Sequence, residues 1–261
     1  MNPAPDVHQA RWIINQQLVR GINLFECMFF SSSSENRRGV RGYMGDPLFP
    51  ALMSYANRAG YLLQQGKPTA QIAVYFPTTS LWMGHNESEK STFDIAQQLL
   101  ESQHDFDFID EHSLTSFTVT KQGAIVNKSG QEYNTIIIPS INVLSKAALN
   151  RLKEFAAKGR KVIFTGERPS LITDKNFLKA DGIATFEWAS QKEISELSAL
   201  ALLPTDVKLD QPSTSIKYLH RKLKDADMYF FFNESDQPVS RNVTLYGKGT
   251  VQEVERTRWK H

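Results

Sequence analysis

A single cysteine, Cys27, stands among 261 residues, which excludes an internal disulfide framework and any multi-cysteine zinc site. Charge of one sign is also scarce. Thirty Lys and Arg against 28 Asp and Glu leave a formal net charge of +2, too balanced to mark nucleic acid or an anionic membrane as the main partner. No apolar run approaches the roughly eighteen residues of a membrane span, and residues 1–9 have neither the basic start nor the apolar middle of a signal peptide. The chain as written reads as soluble and without an export address, and its compartment stays open. No repeat at a solenoid or propeller period is present, and the only low-complexity patch is the serine run at 31–34. Sequons at Asn86, Asn127, Asn233 and Asn242 carry no weight without a secretory signal.

What is there is 41% hydrophobic, enough to exclude a long disordered chain. The length suits one large domain or two smaller ones, and it just reaches the roughly 250 residues of a complete (β/α)8 barrel. Helical spacing of Val7, Ala10, Arg11, Ile14 and Leu18 predicts a helix over 7–19, and the apolar run 22–30 predicts a buried strand. Residues 31–46 read as a loop. A helix follows over 48–63, stopped by Gly66 and Pro68. Strand and helix then alternate: strands at 72–76, 106–109, 135–139 and 161–165, helices at 93–101 and 146–157, and a small hairpin at 117–126 turning at Lys121-Gln122-Gly123. Such short β-branched strands suit a parallel sheet covered on both faces, so the middle of the chain is expected to form a doubly wound, flavodoxin-like α/β domain. Beyond Pro204 the pattern becomes antiparallel, with strands expected at 215–223, 227–233, 242–246 and 250–254. That is too few for a sandwich of about seven strands.

Several motifs could carry chemistry. Glu26 near the end of the first strand could serve as a general acid or base if that strand lines a barrel mouth; the plainer alternative is a structural pair with an arginine or a helix cap. Cys27 has no basic neighbour in its strand and reads as a small buried hydrophobe. The loop 31–46 carries Arg37, Arg38, Arg41 and Tyr43 between glycines, which can grip a carboxylate, phosphate or sugar or simply be solvated. Trp82 and His85 follow the first strand of the α/β domain, where doubly wound folds bind ligands. They offer an aromatic platform and a titratable group suited to a sugar, although Trp82 could instead pack at a domain interface. No dinucleotide or phosphate-loop glycine pattern accompanies them, so no nucleotide cofactor is expected. The acidic stretch 104–112 does not converge on a metal: strand alternation puts Asp105, Asp107 and Ile109 on one face and Phe106, Phe108 and Asp110 on the other, with Asp110 as a helix N-cap. The turn after 162–164 offers Thr165 where an amidotransferase needs cysteine, and no Gly-x-Ser-x-Gly elbow occurs.

Taken together, the succession Gly21-Ile22-Asn23-Leu24-Phe25, the Tyr55-Ala56-Asn57-Arg58-Ala59-Gly60-Tyr61 helix running on to Gly66-Lys67-Pro68, the Ile72-Ala73-Val74-Tyr75-Phe76-Pro77 strand leading to Trp82, and Asp105-Phe106-Asp107-Phe108-Ile109-Asp110 resemble large bacterial glycoside hydrolases. The resemblance is to the α-L-rhamnosidase type of family 106 and, in architecture, to the family 42 β-galactosidases. It implies a catalytic (β/α)8 barrel followed by a flavodoxin-like, amidotransferase-like domain and then β-sandwich domains. On that pattern residues 1–66 are the end of a barrel, 67–203 the α/β domain and 204–261 the start of a sandwich. The catalytic carboxylates of such enzymes lie mostly on earlier barrel strands, so no catalytic pair is carried over. Glu26 stays a weak catalytic candidate, with Tyr43, Arg41, Trp82 and His85 as candidate substrate contacts. The implied partner is carbohydrate, together with the missing barrel or a second copy of the chain; no metal or cofactor is expected. The alternatives are a stand-alone carbohydrate-binding or interaction module and, most weakly, an amidotransferase relative without its nucleophile.

Overall fold

The computed structural model describes residues 6–26, 46–173, 190–191, 203–247 and 249–253. The first helix, α1 (Val7–Leu18), starts from a capping box: the Asp6 carboxylate accepts from the Gln9 amide at 2.8 Å while the Gln9 side chain accepts from the Asp6 amide. Its buried stripe is Val7, Ala10, Ile14 and Leu18, while Arg11 of the predicted spacing is only half-buried. The second helix, α2 (Phe49–Gln64), begins with a proline in its first turn and buries Leu52, Tyr55, Ala56, Ala59 and Leu63 against α1. Across the pair, the Tyr55 hydroxyl donates to Asn15 at 2.5 Å.

The strand expected over 22–30 is not formed where it is described. Residues 22–26 take no regular secondary structure and pair with no strand, with Ile22 48% and Leu24 81% exposed. A strand needs a ladder neighbour, and among the described residues none lies beside this segment. It rests instead on α2, where a Cβ added to Gly60 would stand 2.7 Å from the Asn23 carbonyl oxygen. Cys27 and the arginine loop, with Arg41 and Tyr43, lie outside the described residues.

The middle of the chain builds a five-stranded parallel sheet from β1 (Ile72–Tyr75), β2 (Phe106–Ile109), β3 (Thr135–Ile138), β4 (Lys161–Phe164) and β5 (Ser190–Gln191), in the order β5-β4-β3-β1-β2. Both β1 and β3 are buried at every position, which is why they read as unbroken apolar runs. One face packs under α3 (Asn86–Glu101) through Ile95 and Leu99; the other packs under α4 (Glu111–Ser116) and α5 (Lys146–Ala157) through Leu114, Leu149, Leu152 and Phe155. Asp110 caps α4 through the Ser113 amide at 2.8 Å, as expected. Helix α3 starts seven residues before the predicted 93, because its buried stripe opens with Ser88 and Thr92, two hydroxyl residues that apolar periodicity passes over. The expected hairpin at 117–126 gains a third strand, Glu132–Tyr133, beside Ile125–Val126. A short parallel pair, Val143–Ser145 with Leu171–Thr173, was not predicted.

The C-terminal strands β6 (Ile216–Lys222) and β7 (Asp227–Asn233) form a hairpin closed by the Leu223 amide bonding to the Ala226 carbonyl. Lys67–Pro68 adds to its edge through β6, and Val207–Leu209 pairs separately with Val243–Leu245. Residues 250–253 form no strand, contrary to expectation, and Val251 is 79% exposed; no described strand pairs with them. Along β6 the two-residue alternation splits the side chains cleanly. Leu219 joins Met228 and Phe230 of β7 against α1 and α2, and Arg221 donates to the carbonyls of Gln64, Gln65 and Gly66, the open C-terminal end of α2. Tyr218 and His220 face the other way.

Gly66 is where this arrangement is least forgiving: its φ is +65° and an added Cβ would sit 2.2 Å from the Lys222 carbonyl oxygen. Gly66→Ala should lower the free energy of unfolding by about 2–4 kcal/mol, combining left-handed strain with a backbone clash. Chemical denaturation with an unchanged midpoint would contradict that fit.

Candidate functional site

Two polar clusters flank the parallel sheet. At the carboxyl ends of the strands, a short helix, Thr78–Trp82, follows β1 and leaves Trp82 81% exposed. Three residues on, the Nδ1 of His85 is 2.7 Å from the Ser88 hydroxyl, which itself donates to the Ser140 carbonyl at 2.7 Å. The serine's single proton is therefore committed, and the imidazole Nδ1–H is the donor of the pair. The other ring nitrogen faces Glu167 at 3.3 Å. Ser91 accepts from the Ser140 amide, and the Ser140 hydroxyl accepts from the Glu167 amide. These bonds stitch the first turns of α3 to the loops after β3 and β4. Ser88 is fully buried, so it positions His85 and is out of reach of a substrate. Thr165 is equally committed, donating to the Ile138 carbonyl at 3.2 Å.

Of the residues singled out from sequence, the structure thus brings Trp82 and His85 to one end of the sheet, with an exposed ring beside a fixed imidazole–carboxylate pair. Glu26 is exposed at the end of the segment resting on α2, on a different element. Arg41 and Tyr43 lie outside the described residues. Among the described residues no group of three or more His, Cys, Asp or Glu converges as a metal would need.

The second cluster, at the amino ends of the strands, went unforeseen. His220 sits between two carboxylates, with Nδ1 on Asp206 and Nε2 on Asp227 at 3.0 Å. Tyr218 donates to the other oxygen of Asp206 at 2.5 Å, and the Thr69 hydroxyl bonds nearby. The ring of Tyr229 stacks on His220 with centroids 4.0 Å apart. Thr69, Gln71, Asp105, Thr205, Asp206 and Tyr218 line a small cleft of about 10 Å³, room for roughly one water. Burial alone would lower the His220 pKa, but the bonds to Asp206 and Asp227 outweigh it and raise the value above the ordinary 6.5. Burial alone would raise Asp206, yet its bonds to His220 and Tyr218 hold it below the usual carboxylate range. No sequence signal marks this group: Asp206 and His220 are fourteen residues apart, and only the hairpin brings them together.

The stability this histidine contributes is complete below about pH 6.5, its unfolded value, and is lost as pH climbs through the raised folded value. The Asp206 contribution runs the other way, lost as pH falls below about 4. His220→Gln should therefore cost about 1–3 kcal/mol near pH 5.5, the worth of a charge-assisted hydrogen bond, and less as the pH rises toward 9. Thermal unfolding of both proteins across that range reads the difference; a gap that widens toward alkaline pH would show that His220 is not held as a cation.

Comparison with known proteins places this geometry in a family. Residues 47–254 match the family model of the α-L-rhamnosidases, glycoside hydrolase family 106. A protein of Formosa agariphila named "Putative beta-glucuronidase" is 28% identical over 194 residues, covering 70% of this chain and 16% of its own length. Among solved structures, a rhamnosidase from Novosphingobium sp. PP1Y superposes with a TM-score of 0.57 at 16% identity, over 89% of this chain and 24% of that one. An exo-carrageenase of family GH42 from Bacteroides ovatus superposes with a TM-score of 0.53 at 14% identity, over 86% and 32% of the two chains. The chain thus spans about a sixth to a third of the length of these relatives and shares with the two structures a mixed α/β fold of parallel and antiparallel sheets. With four-fifths of its residues inside the family match, the chain belongs to the α-L-rhamnosidase family of glycoside hydrolases, family 106.

Proposed function

We propose that this chain is the non-catalytic C-terminal part of a glycoside hydrolase acting on plant-type oligosaccharides, and that it supports a barrel carried elsewhere. The observation that carries this reading is the segment 22–26. It carries Ile22, Leu24 and Phe25, lies against α2 at Gly60, yet leaves Ile22 and Leu24 exposed and has no ladder partner among the described residues. A barrel strand with its flanking helices α1 and α2, lacking its neighbours, would look like this. Residues 1–66 then form a barrel remnant, 67–203 a domain of their own, and 204–261 the opening of a sandwich. The strand order β2-β1-β3-β4-β5, with helices on both faces, supports a flavodoxin-like, amidotransferase-like reading of the middle unit. The committed hydroxyl of Thr165 at the elbow position speaks against an amidotransferase activity there.

Alone, the chain is expected to leave an aryl α-L-rhamnoside uncleaved, and Glu26→Gln is expected to change nothing. Hydrolysis by the purified chain that Glu26→Gln abolishes would overturn the non-catalytic reading.

A second reading, a carbohydrate-binding module, is favoured by the exposed Trp82 beside His85 and Glu167: an aromatic face and a nearby carboxylate are a common pairing for a sugar ring and its hydroxyls. Calorimetric titration with rhamnose-containing oligosaccharides tests it. Binding that weakens at least tenfold in Trp82→Ala is the expected result, and absence of heat with every sugar tried would remove this reading.

A further inference from the structure

The face of β6 turned away from α1 and α2 meets an unusual concentration of acid. Asp206 and Asp227 flank His220, while Asp105 and Asp107, at the start of β2, approach from the parallel sheet. Asp107 is satisfied by Gln131 at 2.5 Å and by the Tyr133 hydroxyl at 2.9 Å. Asp105 is not: its Oδ2 is sealed from solvent and has no hydrogen-bond partner, and the residue lines the one-water cleft with Asp206 and Tyr218. The other ionisable groups turned to this place are Tyr218 of β6 and Tyr229 of β7; Arg221, on the opposite face of β6, feels Asp105 and Asp107 from a distance, and its guanidinium is already spent on the carbonyls at the end of α2. Four carboxylates therefore share one histidine and one distant guanidinium. Like charges so placed cannot all remain ionised at low dielectric cost.

We propose that the contact between the parallel sheet and the C-terminal hairpin is held by two protons, one on Asp105 and one on His220, and that their loss loosens the hairpin from the sheet. The neutral Asp105 carboxyl can place its hydroxyl toward the cleft, where a carboxylate would face Asp206 and Asp107 unscreened. Burial, with Asp107 and Asp206 close by, pushes the Asp105 carboxyl up to about 8. Because the unfolded chain gives up this proton near pH 4, folding becomes progressively less favourable from there to about pH 8 and then levels off. Loss of the His220 proton adds to the same alkaline weakening. The junction is tightest in mild acid.

The experiment compares the full 261-residue chain with Asp105→Asn, an isosteric neutral side chain. The two thermal midpoints should nearly coincide at pH 4–5, with Asp105→Asn higher by several degrees at pH 8 and the gap constant above that. A gap independent of pH, or one that narrows toward pH 8, overturns the proposal, since a merely structural role for Asp105 moves all points alike. Should Asp105→Asn fail to fold, a carbon-13 titration of the wild-type carboxyl decides. A midpoint above pH 6 supports the proton; one at or below pH 6 overturns it. Amide exchange, corrected for its intrinsic pH dependence, supplies the mechanical half: protection across 216–233 should fall at least tenfold relative to β1 and β3 between pH 5 and pH 9. Equal protection of hairpin and sheet throughout would show that the protons do not control the contact.

Discussion

The hairpin of β6 and β7 is the constraint on which the other parts depend, because both of its faces are used. One face covers α1 and α2 with Leu219, Met228 and Phe230. The other presents Tyr218 and His220 to the sheet and to Asp206. A strand normally turns one face to a core and one to water; here neither face of β6 is free until its final residues, the run 216–220 being buried throughout. Elements at the beginning of the chain are thereby tied to its end. The indole of Trp12 donates to the Glu234 carbonyl, and Arg20 pairs with the Glu234 carboxylate at 2.5 Å. Neither surface contact is worth much alone. Their effect is to fix α1 against a hairpin that the apolar cluster already holds.

Family membership and local chemistry then meet in different places. The family match runs from the start of α2 to the end of the described chain, so it covers the sheet, both polar clusters and the hairpin. Within that span the carboxyl end of the sheet leaves Trp82 exposed and holds His85 beside Glu167. The amino end lies under the hairpin, whose Tyr218 and His220 bond to Asp206 there. A perturbed titratable group is often taken as a sign of catalysis. In this fold the perturbation at His220 and Asp105 follows from packing one sheet against another through acid side chains.

How much of this could be read from residues alone depended on where the signal lay. The parallel strands were legible because β1 and β3 are buried on both faces and so consist of unbroken apolar sequence. The N-cap role of Asp110 and the alternation along β2 were legible for the same local reason. The first half of α3 was not, since Ser88 and Thr92 occupy its buried stripe and satisfy their hydroxyls with the carbonyls of Ser140 and Ser88. The segment 22–26 misled for a different reason: apolar sequence encodes a wish to be covered, and whether a covering strand exists is not a local property. The Asp206–His220 contact had no legible trace at all, because it depends on the register of a hairpin fourteen residues away.

The hold of Arg221 on the end of α2 has a bearing on synthesis. The guanidinium and the carbonyl of Gln65 are separated by 156 residues, so the last turn of α2 stays without its terminal partners until nearly the whole described chain has left the ribosome. At roughly 5–20 residues per second that interval is on the order of ten to thirty seconds, far longer than a helix needs to form or fray. Until then the carbonyls at the end of α2 depend on water, and the clasp that joins the first helices to the hairpin closes late in synthesis.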